Sequence, residues 1–147
     1  MMESTIKTND SRTWTADYVK KHVPSCSDEM QQAHTAGTKH LENGAYAEAA
    51  KCFEEVVHGL ALLAEADPDW YAAPLLADRY ALAQICLFGL GDRQKGNAWL
   101  ESACAQAKAC GAERELAAMT ALQDAVEELG IRGAREMLAI TFPDDLL

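Results

Sequence analysis

The sequence predicts an all-α fold in which antiparallel helix-turn-helix hairpins stack as a short solenoid of about six to seven helices. Apolar residues recur at steps of three and four, the period of a helix with one buried face. The chain of 147 residues has only four prolines to interrupt helices. Glycine turns at Gly44, Gly91 and Gly130 recur at intervals of roughly 40 to 50 residues, as expected of serial hairpins.

Residues 1–27 are predicted to form a flexible arm with a short helix near residues 14–22, which ends before Pro24. Trp14 and Tyr18 share a face of that helix. Aromatic side chains favour burial, so this segment either docks on the rest of the protein or binds a partner. Docking within the chain is the favoured alternative.

The helical domain is predicted to span residues 28–140, with hairpins at about 29–66, 70–111 and 112–140. Ser27-Asp28 offers an N-cap for the first helix, and Gly37 in its middle predicts a close crossing by another helix.

A central helix is expected at about 75–90, because that stretch is apolar around most of its circumference. Asp92 is predicted to cap the next helix, which ends at Gly111. The tail, residues 141–147, cannot stay helical through Pro143.

Charge and composition limit the classes of partner. The net charge of −10 opposes phosphate backbones, so nucleic-acid binding is not expected. Neither an apolar signal segment nor a membrane span is predicted, which makes a cytoplasmic location the expectation. Five cysteines without a CxxC pair fit a reducing compartment.

No pattern in the sequence predicts an active site. His34 and His40 are six residues apart, so they lie on different sides of a helix and cannot bind the same metal ion. No cysteine has an evident base beside it, and no phosphate-binding loop is present. We therefore expect neither catalytic residues nor a metal or cofactor.

The first hairpin resembles the tetratricopeptide repeat. The residues that carry the resemblance are Gly37, Gly44, Tyr46, Ala49 and Phe53. The second unit matches through Gly91, Gly96, Leu100 and Ala103, and the third keeps little beyond its periodicity. The closing proline stands at Pro68 rather than near Ala61, so the second helix is longer than the family pattern. His34 and Thr38 occupy positions where relatives that grip acidic chaperone tails have Lys and Asn.

The resemblance implies a concave groove lined by the first helix of each hairpin. The implied groove residues are Gln31, His34, Thr38, Leu41, Asp78, Leu82, Ile85, Phe88, Thr120, Asp124 and Glu127. An apolar middle with an acidic end would suit a peptide or protein partner with apolar anchors and a basic residue. Alternatively, the Trp14–Tyr18 segment or another subunit covers this surface.

Three functional hypotheses follow. The first is a non-catalytic protein-protein interaction module, adaptor or chaperone-like, that binds a partner in the groove. The second is a self-assembling structural protein that functions as a homo-oligomer, such as a homodimer. A more remote third is a small-ligand sensor or enzyme that uses the apolar centre and His34.

Overall fold

A computed structural model describes residues 23–146, and these form an all-helical structure with no strand in that range. The predicted helix near 14–22 and the Trp14–Tyr18 arm lie outside the described residues. Five α-helices follow in order: α1 Val23–Glu42, α2 Tyr46–Ala66, α3 Pro68–Gln84, α4 Arg93–Cys110 and α5 Glu113–Met137. A π-helical turn, Ile85–Gly89, continues α3, and a 3-10 turn, Asp144–Leu146, lies in the tail.

The first hairpin forms where its sequence predicts it. Gly44 has φ 77, in the left-handed region that glycine tolerates, and α2 ends at Ala66 as expected. α1 starts earlier than predicted, at Val23, because Pro24 fits the first helical turn, where its missing N–H is not needed. Ser27-Asp28 is therefore inside the helix and is not its cap.

The crossing of the two helices occurs at Gly37, as the sequence predicts. A Cβ atom added there would lie 2.6 Å from Phe53 Cε1 and 3.0 Å from Cys52 Cβ. Glycine thus lets the backbone of α1 approach the side chains of α2 more closely than any other residue could.

α3 is longer toward its N-terminus than the expected helix at 75–90. Asp67 caps it by accepting a hydrogen bond from the Trp70 N–H at 3.4 Å, and Pro68 occupies its first turn. Pro74 lies inside the helix, where the Trp70 carbonyl loses its intrahelical donor. Both residues are exposed, so water can satisfy that carbonyl.

The later boundaries agree with the sequence. Asp92 caps α4 by accepting from the Lys95 N–H at 3.0 Å, and Gly111 ends α4 with φ 74. Gly130 interrupts the helical backbone of α5 with φ 79 and ψ 177, so α5 is two helical pieces joined at the predicted turn.

Consecutive helices pack against one another, and α3 lies in the middle. Two hydrophobic clusters form the core. The first joins α1, α2 and α3, and the second joins α3, α4 and α5. Leu75 and Leu82 of α3 belong to the first, and Leu76 and Ala83 belong to the second. α3 is thus the central helix that its apolar sequence predicts.

Candidate functional site

The predicted residues His34 and Asp78 lie side by side, joining α1 to α3. His34 Nε2 is 3.3 Å from Asp78 Oδ1, and the His34 ring stacks on Phe53 of α2 with centroids 5.3 Å apart. Asp78 is only 8% exposed, whereas about half of the His34 side chain meets solvent. The hydrogen bond to Asp78 raises the pKa of His34 above its ordinary value, against the opposing effect of burial.

The exposed face of α1 beside this pair forms a shallow cleft. It has a volume of about 310 Å³ and is lined by His34, Thr35, Thr38, Lys39 and Glu42. Thr38 donates its hydroxyl to the His34 carbonyl at 2.9 Å, and Thr35 donates to the Gln31 carbonyl at the same distance. These threonines satisfy their own helix, and Gln31 itself is exposed. The cleft is therefore a weakly featured surface.

Three predicted groove residues belong to the core instead. Leu41 is 1% exposed, and Leu82 and Ile85 are 0% exposed. A stretch that is apolar around most of its circumference, such as the one with Leu82 and Ile85, gives no sign of which side remains open. These two residues and Leu41 of α1 pack into the first core cluster. They contribute to stability, each about 1.5 to 3 kcal/mol through burial. Because they are buried, the prediction that these three residues line an open groove is wrong.

Phe88 is half-buried by the chain's own C-terminal tail. Its ring centroid is 6.0 Å from that of Phe142, and Phe142 also lies 5.4 Å from the ring of Tyr46. Phe142 is 6% exposed. The sequence left open whether the Trp14–Tyr18 segment or another subunit covers Phe88. That segment lies outside the described residues, and within them the tail contacts Phe88.

The acidic residues predicted for the far end of the groove lie elsewhere. Asp124 and Glu127 of α5 are exposed and line a polar cleft of about 530 Å³ between α4 and α5, and Thr120 is exposed on the same helix. Arg93 also lines this cleft and donates to the Glu127 carbonyl at 3.4 Å. The structure thus brings His34 and Asp78 together but places Asp124 and Glu127 in a separate cleft.

An apolar cleft between α3 and α5, which we call the α3–α5 groove, was not predicted as a unit. Its volume is about 550 Å³. It is lined by Pro68, Asp69, Ala72, Ala73, Leu76, Ala77, Tyr80, Ala81, Cys110, Ala112, Glu115, Met119 and Leu146. The alanines at 73, 77 and 81, spaced by four, were the available signal, because small residues at that step leave an open stripe along a helix.

The titratable side chains do not assemble into a metal site in the described part of the chain. Among the side chains that the structure describes, those of residues 28–144 and 146, His, Cys, Asp and Glu form no group of three that could hold an ion. In the same range, no helix combines the length and the apolar character that crossing a bilayer requires.

Comparison with known proteins identifies no relative, since no family model, curated protein or solved structure matches this chain.

Proposed function

We propose that this protein is a non-catalytic interaction module that binds a peptide or protein partner in the α3–α5 groove. The apolar lining of that groove carries the proposal. Ala73, Ala77 and the partly exposed Tyr80 provide its accessible apolar surface. Leu76 and Met119 also line the groove, but they are 6% and 1% exposed and belong mainly to the core. Peptide-binding sites on helical scaffolds commonly pair an apolar groove with a few polar groups at the rim, here Asp69 and Glu115.

We further propose a short solenoid of the tetratricopeptide type as the architecture. The close approach of Gly37 to Phe53 and the serial order of the two core clusters support it. In such a solenoid, each hairpin contacts only its neighbours, which leaves one face of the first helices available for binding. This places the proposed binding face on α1, α3 and α5.

We assign no catalytic role to His34. Its contact with Asp78 has a sufficient structural explanation, since it joins α1 to α3 across Phe53. An adaptor or a chaperone-like protein fits this reading, because both act by binding alone. The proposed binding function requires no metal and no cofactor.

The groove is tested with a library of random peptides displayed on phage. Selection on the wild-type protein should give peptides that lose binding to Ala77→Glu, because a carboxylate in the apolar groove is costly to desolvate. Ala105→Glu is the matched control, since Ala105 is an exposed alanine of α4 that does not line the groove. Circular dichroism checks that both variants are folded. Equal binding by the two variants would reject the groove.

Self-assembly is a second candidate, favoured by exposed apolar residues on α5. Leu129 is 49% exposed and Met137 is 60% exposed. Large apolar side chains on the last helix suit contact with a second copy. Sedimentation velocity over a hundredfold range of about micromolar concentrations tests this. A dimer that Leu129→Glu converts to monomer supports the second candidate, and a monomer throughout excludes it.

A further inference from the structure

The C-terminal tail is held by a site with the features of a peptide-binding pocket. Tyr46 and Phe88 hold the Phe142 ring, and Arg135 of α5 lies beside them, with Cζ 5.9 Å from the Phe88 ring centroid. We call Tyr46, Phe88 and Arg135 the Phe142 pocket. Its walls come from the start of α2, the π-helical turn and the last turn of α5.

Arg135 recognises the backbone of the tail rather than its side chains. Its Nη2 donates to the Phe142 carbonyl at 2.8 Å, and its Nε donates to the Ile140 carbonyl at 3.4 Å. A guanidinium that holds two main-chain carbonyls fixes the path of a segment whatever its side chains are. Specificity for particular peptides then depends on the aromatic ring that packs between Tyr46 and Phe88.

Two walls of the pocket are fixed without the tail. A Cβ atom added to Gly89 would lie 2.8 Å from Tyr46 Cγ, so the Tyr46 side chain rests directly on the backbone of the π-helical turn. The Leu90 N–H closes that turn by donating to the Ile85 carbonyl at 3.0 Å. π-helical turns inside helices occur frequently at functional sites, and this one carries Phe88.

The tail has a second anchor four residues after the first. Leu146 lines the α3–α5 groove, and its N–H donates to the Pro143 carbonyl at 2.9 Å. That turn sets the spacing between the Phe142 ring and the Leu146 side chain. The Phe142 pocket and the α3–α5 groove are therefore bridged by one short segment.

We propose that the Phe142 pocket and the α3–α5 groove form one docking site. The chain's own tail is its internal occupant, and the partner is a peptide with an aromatic residue and a leucine four positions later that adopts the same turn between them. This inference rests on the proposed function and specifies the ligand of that same groove. The tail follows the last α-helix, so its departure breaks none of the hydrogen bonds within α1–α5.

Displacement of the tail is tested with the full-length chain and a fluorescent synthetic peptide of residues 140–147. Wild type should bind this peptide weakly, because an attached tail competes at a local concentration in the millimolar range. The double variant Phe142→Ala, Leu146→Ala should bind it about tenfold or more tightly, since the internal competitor is lost. Fluorescence anisotropy measures both affinities.

Two controls accompany the titration. Thr141→Ala changes an exposed residue of the same tail and should bind the peptide as wild type does. A second peptide, with alanine in place of both anchors, should not bind the double variant. A folded double variant that binds the native peptide no better than wild type, or binds both peptides equally, overturns the proposal.

Hydrogen exchange on the wild type decides the question if the double variant does not fold. Saturating peptide should speed amide exchange in residues 141–146 and leave α2 and α4 unchanged; unchanged exchange in the tail overturns the proposal. Failure of this proposal can be distinguished from failure of the proposed function. Library peptides that need an intact groove but lack the two anchors would support a binding function and reject this ligand.

Discussion

The imidazole of His34 in α1 is hydrogen-bonded to the nearly buried carboxylate of Asp78 in α3, with 3.3 Å between Nε2 and Oδ1. The two helices are not consecutive, and Phe53 of the intervening α2 forms the floor on which His34 stacks. One side chain therefore connects all three helices of the first core cluster. Its protonation state should affect how firmly they are held together.

Asp78→Asn tests the effect of pH on this pair. Asp78 raises the pKa of His34 above 6.5, so the stabilisation is fully present below that ordinary value and is lost as pH rises through the raised pKa. The difference in unfolding free energy between wild type and Asp78→Asn should therefore shrink as the pH rises above 6.5. We expect this difference to be at most about 1 kcal/mol, because His34 is half exposed and solvent screens the pair.

Urea unfolding at several pH values measures that difference directly. His34→Gln serves as the control, since it should give a free-energy loss with the same pH dependence. A difference between wild type and Asp78→Asn that stays constant over the range would show that the pair is not coupled to protonation.

Gly37→Ala should destabilise the protein by up to about 2 kcal/mol, which is an overpacking cost of about 1 to 3 kcal/mol less the gain in helix propensity. The new methyl group would lie 2.6 Å from Phe53 Cε1, and Phe53 is 3% exposed and stacked against His34, so it has little room to move. That cost exceeds the gain in helix propensity of about 1 kcal/mol. Thermal and urea unfolding measure the change.

Gly59→Ala is the informative comparison. An added Cβ atom there meets the Met30 thioether, the far end of a flexible side chain that can rearrange. We expect the unfolding free energy of Gly59→Ala to differ from that of wild type by no more than about 1 kcal/mol. Adding Phe53→Leu to Gly37→Ala should recover part of the lost stability. Equal destabilisation by both alanines would contradict the assigned role of Phe53.

Cys86 should resist alkylation in the native protein, whereas Cys110 should react. Burial raises the pKa of the Cys86 thiol to about 11, so roughly one molecule in a thousand carries the thiolate at pH 8. Cys110 is exposed. Iodoacetamide labelling followed by peptide mass spectrometry separates the two sites, and both should react in urea. Labelling of native Cys86 at the rate of Cys110 would disprove its burial.

Gln106→Leu should cost about 1 to 3 kcal/mol, because it leaves a partly buried guanidinium without its partner. Arg79 Nη1 donates to Gln106 Oε1, and Gln106 Nε2 donates to the Ala72 carbonyl, each at 2.9 Å. Burial also lowers the pKa of Arg79, and its Nε lacks a hydrogen-bond partner in the described structure.

Replacing both members of this pair provides the check in urea unfolding. Arg79→Leu combined with Gln106→Leu should recover part of the lost stability, since no unpaired polar group then remains buried. A double variant as unstable as the sum of the single variants would mean that the two side chains act independently.

The local features of the fold could be predicted because each depends on neighbouring residues. A glycine at positive φ ends a helix wherever it occurs, as at Gly44 and Gly111, and a carboxylate three residues before a free N–H caps one, as Asp92 does. The first turn of α1 was missed because the effect of Pro24 depends on whether it stands inside or before the helix.

The candidate site was less predictable. Helical spacing placed His34 on an open face, but it could not show that Asp78, forty-four positions later in the chain, would meet it. Nor could it show that Leu82 and Ile85 would be covered, since a helix apolar on all sides carries no mark of its exposed edge. The α3–α5 groove depends on the space between two helices, which no single helix encodes.

The sequence by itself determined that the fold is helical and where its glycine turns lie, because hydrogen bonds and steric contacts within a few residues specify them. Only the tertiary structure decided which apolar residues remain open and that the tail returns to cover Phe88. That return depends on Tyr46, Phe88 and Arg135, which are brought together from distant positions by the packing of α2, the π-helical turn and α5. Burial is a property of the assembled helices, so the binding surface could be recognised only once they were packed.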